Sequence, residues 1–148
     1  MSVFHITRLE DRHLSQAAEL ERLCFTQPWS ESALAILTRQ NGVGMAALTD
    51  GGKLVGYCGM LTVLDEGQIT NVAVHPEFRR TGIGSALLNR LFEEAKTLGV
   101  TQISLEVRES NVAAKELYLR HGFSVAGVRK RFYSHPTEDG LVMVRENR

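Results

Sequence analysis

The run Val72-Ala73-Val74-His75-Pro76-Glu77-Phe78-Arg79-Arg80-Thr81-Gly82-Ile83-Gly84-Ser85 joins a buried-strand pattern to a glycine-broken turn that opens into a helix. Gly82 and Gly84 carry no Cβ, so the backbone can curl there and aim its N–H groups at an anion, while the helix adds the positive end of its dipole. A pyrophosphate fits such a cradle. No Gly-Lys-Ser/Thr follows, as a P-loop requires, and Leu87 stands where the dinucleotide fingerprint needs a third glycine. ATP and NAD are therefore not the expected ligands. Taken alone, the two glycines are equally an ordinary helix-opening turn, and Arg79 and Arg80 a solvated surface pair.

The arrangement Arg79-x-x-Gly82-x-Gly84, reached from the strand Ile69 to Val74 and followed by an amphipathic helix, resembles the acetyl-CoA pyrophosphate loop of the GNAT N-acetyltransferases. Two more segments match that superfamily: Asn71-Val72-Ala73-Val74, and Leu105-Glu106-Val107-Arg108-Glu109-Ser110-Asn111-x-x-Ala114-x-x-Leu117-Tyr118-x-x-x-Gly122-Phe123. Together they resemble the bacterial ribosomal-protein alanine N-acetyltransferases, the RimI family. Pro28-Trp29-Ser30, Arg131-Phe132-Tyr133 and Glu138-Asp139-Gly140 also sit where that family has similar residues, so the resemblance spans nearly the whole chain. It implies acetyl-CoA as acetyl donor. In the family the strand before the loop pairs with the pantetheine amides through backbone groups at positions matching Val72, Ala73 and Val74. The loop Arg80, Thr81, Gly82, Ile83, Gly84 and Ser85 is then expected to hold the pyrophosphate, with Arg79 or Arg80 adding charge. Asn111 caps the helix that follows it and, in the family, also contacts the cofactor.

Acetyl transfer from a thioester to an amine requires a deprotonated amine, a polarised carbonyl and a neutralised thiolate. Glu106 interrupts the apolar strand Ile103-Ser104-Leu105-Glu106-Val107, where a carboxylate would be part-buried, and it matches the family's general base. An outward-facing residue paired with Arg108 is the other reading. Tyr118 matches the general acid; a phenol, with an ordinary pKa of about 10, can hydrogen-bond the sulfur and protonate the thiolate. A core aromatic beside Leu117 and Phe123 is the alternative. A backbone N–H near Val72 to Val74 would polarise the carbonyl and leaves no mark on the sequence. His75 and His121 read as solvated or capping residues.

The acceptor implied by the resemblance is the α-amino group of a protein N-terminus, in the family that of a small-subunit ribosomal protein beginning with alanine. An α-amine, with a pKa near 7.7 to 8, needs only a weak base, unlike a lysine near 10.4. Trp29, Tyr133 and the Asp65-Glu66 turn are candidate walls of the peptide cleft. Phe132 stands where the family often has an aromatic with a hydroxyl, and Gly140 where alanine is common, so the departures concern the acceptor. A small-molecule amine acetyltransferase would share the cofactor motifs but display an acidic acceptor pocket. A non-catalytic acyl-CoA-binding module would have no need of Glu106 and Tyr118 together.

These residues need a scaffold, and 148 residues at 43% hydrophobic suffice for one domain over 1–148 with a real core. Seventeen basic and seventeen acidic residues cancel, so no net field draws the chain to nucleic acid or to an anionic membrane. Residues 1–8 alternate like a strand, and no apolar run approaches the roughly 20 residues of a membrane span, so no signal peptide is expected and a cytoplasmic location is. Cys24 and Cys58 lack metal-ligand spacing and read as buried thiols in a reducing compartment, with no metal site.

Strand and helix patterns alternate without linker or repeat. A strand at Phe4 to Arg8 precedes a helix with the apolar stripe Leu14, Ala17, Leu20, Leu23 and Cys24, and Ser30 caps a second helix with Leu34, Ile36 and Leu37 inside. Strands at Gly44 to Leu48 and Lys53 to Leu64 meet at Asp50-Gly51-Gly52, and Asp65-Glu66-Gly67 turns the chain into Gln68 to Val74. A helix after the loop stops at Gly99, followed by a strand from Val100 to Val107 and a helix from Val112 to His121. Val125 to Tyr133 and Leu141 to Arg145 close as an antiparallel pair. The order predicts an α/β (α+β) protein whose mixed, mostly antiparallel central sheet carries helices on both faces, as the GNAT fold does.

Overall fold

The computed structural model describes residues 4–148, so the first three positions of the alternating N-terminal run lie outside it. Strand β1 (Phe4–Arg8) leads through a 3-10 turn at Asp11–His13 into helix α1 (Leu14–Cys24). Helix α2 (Glu31–Leu34) begins where the Ser30 hydroxyl accepts the Ala33 N–H, the cap its residue type predicts, and runs on as a 3-10 turn over Ala35–Thr38. Strands β2 (Gly42–Thr49), β3 (Leu54–Val63) and β4 (Glu66–Val74) follow as a meander, then helix α3 (Ile83–Thr97) and strand β5 (Gln102–Arg108). Helix α4 (Val112–Arg120) and the hairpin of β6 (Ser124–Tyr133) and β7 (Glu138–Glu146) complete the chain.

Among the described residues the strands form one sheet in the order β1-β2-β3-β4-β5-β7-β6, antiparallel at every junction except β4 with β5. Alternation along β2 explains the layers. Val43, Met45 and Ala47 pack on the side that buries Leu87, Leu88 and Leu91 of α3 and Tyr118 of α4, while Ala46 and Leu48 pack with Leu14, Ala17 and Leu34 of α1 and α2. The mixed sheet with helices on both faces is the architecture the sequence implies. No helix of the described residues is long and apolar enough to cross a membrane.

Several boundaries differ from the sequence reading for local reasons. Leu64 takes a positive φ of 56°, so the β3–β4 turn closes on Leu64 and Asp65 and β4 already begins at Glu66. The buried face of α1 includes Leu14, Ala17, Ala18 and Glu21, at successive helical offsets of three and four, and leaves Leu23 55% exposed. Ile36 likewise faces outward while Leu34 and Leu37 are buried.

Two irregularities open a cleft in the sheet. The β3–β4 register steps between Met60↔Ile69 and Gly59↔Asn71, leaving Thr70 as an extra, bulged residue that bends β4. The parallel ladder between β4 and β5 consists only of Glu66↔Gln102, Gly67↔Ile103 and Gln68↔Ser104. Beyond it β4 stays with β3 while β5 follows β7 as far as Arg108↔Gly140. The sheet therefore opens as a V between the C-terminal halves of β4 and β5.

Candidate active site

One wall of the V is the end of β4. The His75 N–H donates to the Val55 carbonyl at 2.8 Å, which sets the phase of the antiparallel ladder. Ala73 therefore turns its N–H and C=O toward Tyr57 on β3, whereas Val72 and Val74 turn theirs into the cleft. Of these three positions, Val72 and Val74 turn their backbone groups away from β3, and Ala73 pairs with it, its methyl buried. The Val74 carbonyl accepts from Arg79 Nε at 3.3 Å and lies 3.5 Å from the Cys24 thiol, so Arg79 folds back over the strand end. Cys24 is thus half-buried at the cleft rim, while Cys58 is fully buried and its thiol is pushed up to about 12 by burial.

The loop after β4 is held by its own short contacts. His75 Nδ1 accepts the Glu77 N–H at 3.1 Å, the capping role its position suggests, and the Thr81 hydroxyl donates to the Phe78 carbonyl. Gly82 has φ +87°, and a Cβ there would meet nothing within 4 Å, so glycine is needed for backbone conformation with open space outside it. A Cβ on Gly84 would come within 3.3 Å of Leu117 on α4. Ser30 and Asn111 cap α2 and α4 through their side chains, the latter by accepting the Ala114 N–H at 3.1 Å, but no side chain caps α3. Its first helical bond runs from Ala86 to Gly82, which leaves the N–H groups of Ile83, Gly84 and Ser85 without helical acceptors. Beside Arg79 and Arg80, those donors suit an anion. A ligand with a polar amide stem and a phosphate group fits the two features together.

The other wall is β5. Ile103, Leu105 and Val107 point into the core under α3 and α4, so Ser104, Glu106 and Arg108 share the opposite face. The Glu106 side chain is 17% exposed and pairs with Arg129 Nε at 3.1 Å across the intervening β7. Its partner is Arg129 rather than Arg108, which serves the β6–β7 turn instead. Tyr133 is half-buried; burial, then the charge of Glu106, pushes its phenol above the usual range, with Arg108 opposing. Tyr118 is buried edge-on against Phe123, with ring centroids 5.6 Å apart. Burial, with smaller contributions from Cys58 and Tyr133, pushes its hydroxyl well above a phenol's ordinary value, so it keeps its proton at neutral pH. Tyr133 thus stands near enough to feel the charge of Glu106, and Tyr118 feels Tyr133 in turn.

Sequence reasoning passed over Glu21, the buried carboxyl of α1, which is 1% exposed. Its Oε1 accepts the Trp29 backbone N–H at 2.9 Å, and its Oε2 accepts the Tyr57 hydroxyl at 2.5 Å and Asn71 Nδ2 at 3.3 Å. Burial first, and then Glu21, pushes the Tyr57 phenol far up. One side chain thus ties the loop bearing Trp29 to β4 beside its bulge. The signal was present: Glu21 falls seven residues after Leu14 on the buried stripe. Thr70 Oγ1 and Asn71 Oδ1, at the bulge, are buried without a partner. The Asp65-Glu66 turn, expected as a cleft wall, sits at the paired end of β4. There the Thr101 N–H donates to the Asp65 carbonyl at 2.7 Å, so the turn lines the closed end of the V.

Tyr57→Phe removes one hydroxyl and leaves Glu21 Oε2 with only the longer Asn71 contact. Stability should fall by about 1 to 3 kcal/mol, the cost of a buried acceptor left short of a donor. Urea denaturation measures it, and an unchanged midpoint would mean that the Tyr57 hydroxyl contributes nothing.

The model of the acetyltransferase (GNAT) family matches residues 14–123. Ribosomal protein bS18-alanine N-acetyltransferase of Escherichia coli K12 is 38% identical over 135 residues, covering 91% of this chain and 89% of its own length. The protein of the same name from Haemophilus influenzae is 32% identical over 141 residues, 93% of this chain and 95% of its own. The crystal structure of the ribosomal-protein-S18-alanine N-acetyltransferase from Escherichia coli superposes with a TM-score of 0.90 at 34% identity, covering 97% of this chain and 94% of that one. The opened sheet, the uncapped helix behind a glycine loop and the extent of these matches agree: this chain is an acetyltransferase and belongs to the GNAT family, in its ribosomal-protein alanine N-acetyltransferase (RimI) branch.

Proposed function

We propose that residues 1–148 form one acetyltransferase domain that moves an acetyl group from acetyl-CoA to the N-terminal α-amine of a protein, a small-subunit ribosomal protein beginning with alanine, in the cytoplasm. The observation that carries this reading is the V between β4 and β5, which presents cofactor-type backbone on one wall and Glu106 on the other. The names of the relatives supply the acceptor class. Acetyl-CoA, when bound, supplies an acyl carbon activated as a thioester. Val72 and Val74 offer N–H and C=O groups to a pantetheine stem in the manner of an added strand, and their N–H groups are the donors at hand to polarise a carbonyl. Ile83, Gly84 and Ser85, with Arg79, Arg80 and Thr81 around them and Gly82 giving the turn, receive the pyrophosphate. Asn111 lies at the start of α4, where it completes the cofactor side of the cleft.

On the acceptor side, Trp29 and Tyr133 flank the peptide. Glu106 takes a proton from the α-ammonium, directly or through water, and the incoming cation replaces Arg129 at its carboxylate. The Tyr118 hydroxyl, kept protonated by burial, gives its proton to the departing sulfur.

Mass spectrometry of an Ala-starting peptide and a panel of free amines, each offered with acetyl-CoA, tests the reaction. The peptide should gain acetyl at its terminal nitrogen, and the same peptide blocked there but carrying an internal lysine should be nearly inert. Preferential acetylation of a small free amine would overturn the acceptor assignment.

Three substitutions test the roles. Gly82→Val forces a β-branched residue into a positive φ, a strain on the order of 1 to 3 kcal/mol, and should raise the acetyl-CoA KM at least about tenfold. Normal acetyl-CoA affinity by calorimetry in that variant would remove the loop from the cofactor site. Tyr118→Phe should lower kcat by roughly 10- to 10⁴-fold with cofactor binding little changed, and an unaltered kcat where chemistry limits turnover would make Tyr118 a packing residue. Glu106→Gln should lose most of kcat/KM at neutral pH. The deficit should shrink above about pH 8, where the α-amine is already neutral; a deficit constant with pH would rule out proton removal by Glu106.

A further inference from the structure

The β6–β7 hairpin is an edge, and β6 is exposed over most of its length. Its ladder is interrupted between Arg129↔Gly140 and Tyr133↔Glu138, where Asp139 accepts the Arg131 N–H at 2.9 Å, so beyond the single pair at Tyr133 the turn has no further ladder to hold it. A side chain from β5 holds that turn. Arg108 Nη2 donates to the Ser134 carbonyl at 2.9 Å, and Nη1 donates to the Pro136 carbonyl at 3.0 Å and pairs with Glu138 Oε1 at 3.3 Å. The guanidinium lies over the Tyr133 ring, 4.6 Å from its centroid. Glu138 extends the contact to the cofactor side, because its Oε2 accepts the Ser110 N–H at 2.6 Å, one residue before Asn111.

We propose that Arg108 is a positioning residue for the acceptor, clamping the turn after Tyr133 so that this ring stands over the same face of β5 as Glu106. Glu106 and Arg108 are two residues apart on that face, so one strand sets both the carboxylate and the acceptor wall. The task suits arginine specifically. A planar fork can serve two carbonyls and a carboxylate while stacking on a ring, and a lysine ammonium cannot. Gly140 completes the arrangement: a Cβ there would stand 3.1 Å from Tyr133 Cε2 and 3.2 Å from Phe132 Cδ2, so its absence lets both rings settle. Phe132 packs edge-on against Tyr133, with ring centroids 5.0 Å apart, so the clamp holds both rings.

The inference rests on the acceptor reading above, and its test separates the two. Arg108→Lys keeps the charge and loses the fork; the KM for an Ala-starting peptide should rise about tenfold or more, while the KM for acetyl-CoA stays within about twofold. Amide hydrogen exchange at Tyr133 and Ser134 should quicken in that variant. Gly140→Ala, which crowds the Tyr133 ring but leaves the Arg108 hydrogen bonds to Ser134 and Pro136 in place, should raise the peptide KM without quickening that exchange. An unchanged peptide KM in Arg108→Lys, or an equal rise in both KM values, would overturn the positioning role. A wild-type chain that binds acetyl-CoA but leaves the peptide untouched would overturn the acceptor reading instead.

Discussion

Everything at the site depends on a ladder that stops early. After three pairs β4 and β5 part, and each keeps its partner on the other side, β3 for β4 and β7 for β5. Parting exposes peptide groups that a continuous sheet would have satisfied, and an unmet backbone donor or acceptor costs about as much as a lost hydrogen bond. Such an opening persists only where something else meets those groups. At Val74 the structure already shows a substitute, the Arg79 side chain reaching back to the free carbonyl. An extended amide-bearing ligand is the natural replacement for the missing strand, and the same break that accepts it brings β5 chemistry alongside.

Holding the V open falls to residues outside its walls. The Thr70 bulge bends β4 away, and Glu21 grips the strand at Asn71 and Tyr57 while holding the backbone of Trp29. A buried carboxyl of this kind is tolerated because all three donors converge on it, and removal of any one would leave it short. On the far side Arg108 performs the equivalent service for the β6–β7 turn. The Trp29 loop and the β6–β7 turn are thus each tethered by a polar side chain to another element, β4 for the one and β5 for the other.

Legibility in the sequence followed the range of the interaction. Gly82, Ser30 and Asn111 announce themselves because turns and caps are decided within three or four residues, and the structure shows the positive φ and both caps. Gly44 to Leu48 reads as a strand, but nothing local tells the two faces on which its residues lie. Long-range partners were unreadable. Glu106 offered Arg108 as its neighbour two positions away, and the pair formed instead with Arg129 from a strand inserted two places along the sheet. Ala73 was grouped with Val72 and Val74 because its letter fits the motif; ladder phase, set by the His75 to Val55 bond, separates them.

Chemistry and stability draw on different parts of the same strands. Leu105 and Val107 anchor β5 in the core, which frees Glu106 and Arg108 between them to face the cleft. On α4, Tyr118 is packed against Phe123, and the burial that makes it part of the core also keeps its phenol protonated. Burial penalises the charged phenolate and leaves the neutral ring free to pack. Glu106 has a different setting, paired with Arg129 of the exposed edge strand β6. One fold thus holds a buried phenol on α4 and an ion-paired acidic side chain on β5, the strand whose parting from β4 opens the sheet.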